Sequence, residues 1–557
     1  MGKSRNPPPE SEPLVLSGFF EFTNRPSRDR AWGLLYLAAL ALAFAGGIYS
    51  AVHWNHDFAA SWNNDHMSDP ASCPKHRSLL ETVSHQDKGN GNVGDFVRAA
   101  IFIVSVTLLA PLVGGLGFTY AFKRHAHFMV NLTVQIQVAL PAVFGIAMLL
   151  MGHLQFGIIF LVLAGISAFT FYLWRNELGL CARLLGVAAN GLSDNPGLVG
   201  FCLVAVIAMA CLWIPLVSLL GASYTNGHIA PKPGAIVQGP SCIDEHGRDT
   251  PCCYWELDWW VPVYAALNLA TTSWTIFLIG EIRRFVLSAT IAQWYFAPPG
   301  ASMVGTTRRS IGLALGPSFG TCAFGSAILT LIQALRNAME QAKQDNREEG
   351  LASLAWCLVS CVAECFFQLF EFITKFATVR AAITGEAFLT AGRGAFDLFR
   401  RNFLKAYAVW WLPPLVLQTG AFLISAVWGG AVFGLAWLLS HGRYPHHAMA
   451  GSTMLGILAF LLAWIVQSFF ANVLLNVVDA VFMCYAMDRD TQAVTNMEVH
   501  EVFSHVPVGV AVENPDGNLG YGAPSAPTRP TQYVPPADPS YVRPSGQRIQ
   551  NPGPAVV

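Results

Sequence analysis

Charge is what this chain lacks first. Only 12% of its 557 residues are Asp, Glu, Lys or Arg, about half the share of an ordinary soluble domain, so most of its surface is not built to face water. No G-x-x-x-x-G-K-[ST] loop occurs, which speaks against ATP-driven chemistry in this chain. No H-E-x-x-H, nucleophile elbow or C-x-x-C pair stands in a soluble domain, because no polar stretch is long enough to build one. The first thirty residues carry Pro and charge but no short apolar core with a cleavage site, so no secretory signal peptide is expected. No enzyme activity, cofactor, metal site or nucleic-acid partner is expected.

What is present is apolar. Hydrophobic residues make up 53% of the chain and its mean hydropathy is +0.43. Runs of 18 or more apolar residues are candidate transmembrane helices, about 20 residues being needed to cross the hydrocarbon core. Ten such runs are expected to cross: Ala31–Val52, Phe96–Phe122, Phe128–Gly152, Gln155–Trp174, Gly197–Ser223, Trp259–Gly280, Ser318–Ala338, Leu351–Ile373, Ala406–Ser440 and Met449–Met487. The last two are long enough to include re-entrant or interfacial helix. The fold class is therefore all-α, a polytopic bundle in the lipid bilayer. Lys and Arg are denser on the side that holds Arg25, Arg28, Arg30, Lys123, Arg124, Arg308, Arg309 and Arg400. By the positive-inside rule both termini are expected to be cytoplasmic.

The organisation follows from that layout. Residues 1–30 are expected to form a disordered cytosolic arm and 31–490 the transmembrane domain. Segments 53–95 and 224–258 are expected to be extracytoplasmic loops. Residues 506–557 hold eleven of the thirty-three prolines and read as a disordered cytosolic tail, whose Pro524-Ser525-Ala526-Pro527 resembles peptides bound by trafficking proteins. Cys73, Cys242, Cys252 and Cys253 fall in the outer loops, where disulfides persist. Cys242 could bridge one of the vicinal pair, or Cys73 could link across loops; sequence does not choose. Cys357, Cys361 and Cys365 share a helix face, a spacing that packing explains without a metal. The His clusters at 53, 56 and 66 and at 441, 446 and 447 read as solvated loop residues.

Ionisable residues at membrane depth are costly and so informative. They are Glu281 with Arg283 and Arg284, Glu364, Glu371 with Lys375, and Asp479. Glu371 and Lys375 read as an i,i+4 boundary pair. Trp259 to Phe296 would measure about 57 Å as one helix, nearly twice the hydrocarbon core. Three arrangements suit it: projection into the cytosol, a break or tilt near Gly280–Arg284, or an interfacial FVLSATIAQWYF with Trp294 and Tyr295 as belt aromatics.

EIRRFVLSATIAQWYF, followed by SFGTCAFGSAILTLIQALRNAME, resembles the core of the choline transporter-like family. Ser318-Phe319-Gly320, Phe324-Gly325-Ser326, Gln333 and Arg336 carry the second motif. The likeness continues through CLVSCVAECFFQLFEFITKFATVRAAITGEAFLTAGRGAFDLFRRN to VVDAVFMCYAMDRD, so it covers about Trp259 to Asp490; the first half agrees in layout only. The resemblance implies a carrier of choline or a related organic cation, facilitative or proton-exchanging, in the plasma membrane or an internal one. It implies aromatic faces for a quaternary ammonium, which has no hydrogen-bond donor on its nitrogen. Trp274, Trp294, Tyr295, Trp410 and Trp411 would supply them, with Glu281, Glu364 or Asp479 as counter-charge. A carrier of another small solute, such as ethanolamine, and a scaffold acting through the Pro-rich tail are the alternatives.

Overall fold

The computed structural model describes residues 25–58, 61, 67–68, 93–238, 241–244, 246–298, 302–345, 351–401, 403–441, 448–491 and 494–504. The side chains of 93–110, 351–357 and 401–411 are among those outside it. Cys73, His66, His446, His447 and the tail 506–557, with its trafficking-type motif, also lie outside the described residues.

Thirteen α-helices follow in order among the described residues: α1 Arg30–Val52, α2 Val93–Leu150, α3 Leu154–Leu173, α4 Arg175–Asp194, α5 Gly197–Ser223, α6 Val261–Tyr295, α7 Thr306–Leu315, α8 Phe319–Asp345, α9 Leu351–Thr384, α10 Phe388–Arg401, α11 Phe403–His441, α12 Ala448–Asp490 and α13 Met497–Ser504. Each of the ten apolar runs matches part of this set to within two residues. Two of them, Phe96–Phe122 and Phe128–Gly152, are successive parts of α2, separated where His125 leaves helical geometry at φ −136°. Seven helices among the described residues are long and apolar enough to cross a bilayer. The chain is an all-α polytopic membrane protein. The long runs near the C-terminus are continuous helices, α11 through Pro413 and Pro414 and α12 over 43 residues, so the re-entrant arrangement is not adopted.

Helix α6 settles the question its length raised. It is unbroken for 35 residues, about 52 Å, and passes through Gly280–Arg284 without interruption. Nor does its second half lie along an interface: Phe285, Val286, Leu287, Ala289, Ile291 and Ala292 are all 0% exposed. A segment apolar on every side is one buried on every side, and α4, α7 and α12 enclose it.

The bundle has two distinguishable ends. At one, the segment between α5 and α6 forms a small antiparallel sheet, β1 Gly227–Pro231 on β5 Cys253–Leu257, and a three-stranded meander, β2 Ile236–Gln238, β3 Ser241–Ile243 and β4 Asp249–Thr250. Cys242 and Cys252 are joined by a disulfide, and Cys253 is disulfide-bonded as well. In the turn, the backbone N–H groups of Arg248 and His246 donate to Asp244 at 2.9 and 2.8 Å, and the Arg248 bond leads in holding that carboxyl below its usual range. Asn226 Nδ2 donates to Ser50 Oγ at 2.7 Å and ties this loop to the end of α1.

At the opposite end, residues 25–29, just before α1, are docked. The expected arm ends at residue 30, and Arg25–Arg30 are its described part. The Arg25 guanidinium donates to Ala382 O at 3.0 Å and Ile383 O at 2.9 Å, carbonyls in the last turn of α9 that no helical N–H can reach. Asp29 Oδ2 accepts from Phe388 N at 2.9 Å and Thr321 Oγ1 at 3.1 Å. A Cβ on Gly320 would lie 2.2 Å from Asp29 O, so the close approach of this segment to α8 requires glycine there. The amphipathic helices α4 and α10 also pack at this end; a reading directed only at bilayer-length runs passes over both.

Candidate functional site

The site is built on α6. At 100° per residue, positions 274, 281, 284 and 288 share one face. Trp274 Nε1 donates to Ser326 Oγ at 3.0 Å and Ala323 O at 3.1 Å, both on α8. Tyr36 of α1 meets the Trp274 ring edge-on at 5.4 Å, and its hydroxyl pairs with Thr275 Oγ1 at 3.1 Å. Phe319 closes on Tyr36 at 6.4 Å. The aromatic wall is therefore fixed by three helices. Small residues on α8 permit the approach, as Ser326 and Ala323 both sit under the indole.

Two turns further along that face, Glu281 is 0% exposed and ion-paired to Arg284. Cys322 of α8 lies close enough to both for their charges to act on it. Glu281 Oε2, Arg284 Nε and Ser288 Oγ have no hydrogen-bond partner among the described residues. A buried polar group left unsatisfied costs about 1–3 kcal/mol, so three on one face mark a place where water or a polar solute completes the bonding. Arg283 points the other way, beside Cys202 of α5.

Along the same helix runs a buried ladder that reading for charges had missed. Tyr264 donates to Ala43 O at 3.0 Å, Asn268 to Tyr264 Oη at 2.9 Å, and Thr272 to Asn268 Oδ1 at 3.2 Å. Its signal in the sequence was the four-residue spacing of polar side chains inside an apolar run.

The remaining expected site residues lie elsewhere. Trp294 Nε1 donates to Asp194 Oδ2 of α4 at 3.0 Å, and Tyr295 Oη donates to Asp488 Oδ2 of α12 at 3.1 Å. Trp294 is twenty residues from Trp274 along one helix, about 30 Å, so the two indoles do not share a site. Asp488 also accepts from Thr495 N and Oγ1, each at 2.9 Å, and contacts His500 Nε2 at 3.2 Å. This fastens α13 to the end of the bundle. Asp479, 1% exposed, pairs with Lys375 Nζ at 2.5 Å. Glu364 receives Arg336 Nε and Nη2, each at 3.0 Å, and Glu371 contacts the same Nη2 at 3.0 Å. The expected Glu371–Lys375 pair is therefore not formed: each residue takes a partner from another helix. Trp410 and Trp411 lie on α11 with side chains outside the described residues. Cys361 and Cys365 are free thiols.

The chain is a helical membrane bundle with a charged, incompletely satisfied face on a central helix. A family profile described as "Plasma-membrane choline transporter" matches residues 158–490, more than half of the chain, and the protein belongs to that choline transporter-like family. Similar proteins include a CTL-like protein of Dictyostelium discoideum, 27% identical over 237 residues, covering 41% of this chain and 42% of that protein. "Choline transporter-like 2" of Anopheles gambiae is 23% identical over 313 residues, 52% of this chain and 38% of the relative. "Protein PNS1" of Gibberella zeae is 24% identical over 341 residues, 60% and 59%. The chain thus aligns with about two fifths to three fifths of these relatives' lengths.

Proposed function

We propose that the protein carries choline or a closely related organic cation down its electrochemical gradient across the plasma membrane. The observation that carries this reading is Glu281, a fully buried carboxylate with one unpartnered oxygen on the same helix face as Trp274. Membership of the choline transporter-like family supports it. Glu281 and Arg284 neutralise each other while the site is empty. An arriving cation competes with Arg284 for the carboxylate, and its methyl-covered face lies against Trp274 and Tyr36, each contact contributing about 0.5–2 kcal/mol. The carboxylate thus changes partner instead of losing one, while Arg284, whose side chain is partly exposed, gives up its pairing. Trafficking partners at the Pro-rich tail are a separate reading; removal of 506–557 should leave the transport rate per molecule unchanged.

The test is labelled-choline uptake into proteoliposomes holding the purified protein. Saturable uptake is expected, lost in Glu281→Gln, reduced in Trp274→Ala, and retained in Trp294→Phe at the far end of α6. Absence of uptake by folded, inserted protein would withdraw choline, and a competition panel of ethanolamine, carnitine and neutral solutes would then define the cargo. Wild-type uptake by Glu281→Gln would remove this face from the pathway.

A further inference from the structure

A second polar site lies outside the α6 face. Between the loop-end halves of α8 and α9 is a cavity of about 420 Å³, within the size range of small-molecule sites. Its inner wall is closed by charge: Arg336 is held by Glu364 and Glu371. Further out on α8, Glu340 and Lys343 line the same cavity one turn apart, and neither is paired with any described residue. Opposite them on α9 stand Cys361, a free thiol, and Ser360, whose buried hydroxyl has no partner among the described residues.

We infer that this cavity binds a small zwitterion, its ammonium toward Glu340 and its anionic group toward Lys343 and the Ser360 hydroxyl. The charge inventory decides the class. A simple cation would leave Lys343 unanswered and a simple anion would leave Glu340 so, whereas the two charges below them that line the cavity, Arg336 and Glu364, already balance each other and Glu371 is not part of the lining. One chemistry has two sources here. The same stretch of α9 exposes Leu358, Val359, Val362 and Phe366, so the cavity opens beside an apolar face suited to lipid, and a lipid headgroup reaches it as readily as a dissolved solute. This site does not depend on the choline reading.

Cys361 and Cys365, both lining the cavity, serve as reporters. Their maleimide labelling would be followed by peptide mass spectrometry in the full-length protein with Cys211→Ser, since Cys211 is also an exposed thiol. The arms are protein in maltoside with and without phosphocholine, and protein in nanodiscs of phosphatidylcholine or of phosphatidylglycerol. Saturable protection by phosphocholine, about tenfold once it is at about ten times its Kd, identifies a soluble zwitterion. Protection in phosphatidylcholine nanodiscs alone identifies the headgroup. In either case Glu340→Gln and Lys343→Met should abolish protection while the unprotected labelling rate stays as in the parent. Equal labelling in every arm, or protection that survives both substitutions, overturns the proposal.

Discussion

Helices α3 and α6 both cross the bundle, and their composition is inverted with respect to their place in it. Leu154–Leu173 contains no charged residue, and only Gly157 and Ala164 are buried. Val261–Tyr295 carries Glu281, Arg283 and Arg284, yet buries Asn268, Thr271, Thr272, Thr275 and Glu281 inside the bundle. In water the more apolar helix would be the central one. In a bilayer the lipid accepts apolar side chains as well as protein does, so no free energy is gained by burying them, while every polar group must find a partner inside. The uniformly apolar helix is thus the peripheral one, and the helix with interruptions in its hydropathy is the core.

The sharpest way to break that comparison is to unpair a buried charge. Asp479→Ala should cost about 3–5 kcal/mol, because it strands the Lys375 ammonium among α9 and α12 side chains. The replacement of both partners, Lys375→Met with Asp479→Leu, should recover most of the loss by exchanging a desolvated pair for packing. Thermal unfolding of the purified protein, followed by tryptophan fluorescence, measures both. A single variant that unfolds at the parent's temperature would mean that the polar interior contributes little to holding the bundle.

Tyr295→Phe tests the far end of α6. It deletes one hydroxyl donor to Asp488, which keeps its bonds from Thr495, so a loss of about 1–2 kcal/mol is expected. Uptake per folded molecule should be unchanged. Uptake abolished at parental stability would return Tyr295 to the transport pathway.

The contrast also explains which features could be read from sequence. Helix positions were legible because hydropathy is a property of a single segment: each of the ten apolar runs matches part of a helix to within two residues, although α6 and α9 are not among the seven helices of the described residues long and apolar enough to cross a bilayer. Partner choice was not, because it belongs to pairs of segments. Glu371 and Lys375 satisfy the i,i+4 rule, but Arg336 and Asp479 reach them from α8 and α12. Arg283 and Arg284 look alike as interface markers, although one lies by Cys202 of α5 and the other pairs with Glu281. Trp274, Trp294 and Tyr295 carry equivalent chemistry in the sequence, and only the continuity of α6 shows that about 30 Å separates the two indoles. The Cys242–Cys252 bridge was legible as one of several pairings; the antiparallel register that sets Val237 opposite Cys242 and Cys242 opposite Thr250 brings Cys252 within reach.

The smallest effect is expected where the comparison predicts indifference. Val162 and Ile166 of α3 are 54% and 59% exposed on the apolar face. Val162→Leu and Ile166→Leu exchange one lipid-facing side chain for another, so each should shift stability by less than about 0.5 kcal/mol. Ala289→Leu, at a position of α6 that is 0% exposed, adds three carbons where no space exists and should cost about 1–3 kcal/mol by overpacking. All three variants place a leucine, and they differ in the room that its surroundings leave for it. Equal unfolding temperatures across the three would show that α6 is no more closely packed than α3 and would remove the distinction between core and periphery on which the placement of the site on α6 depends.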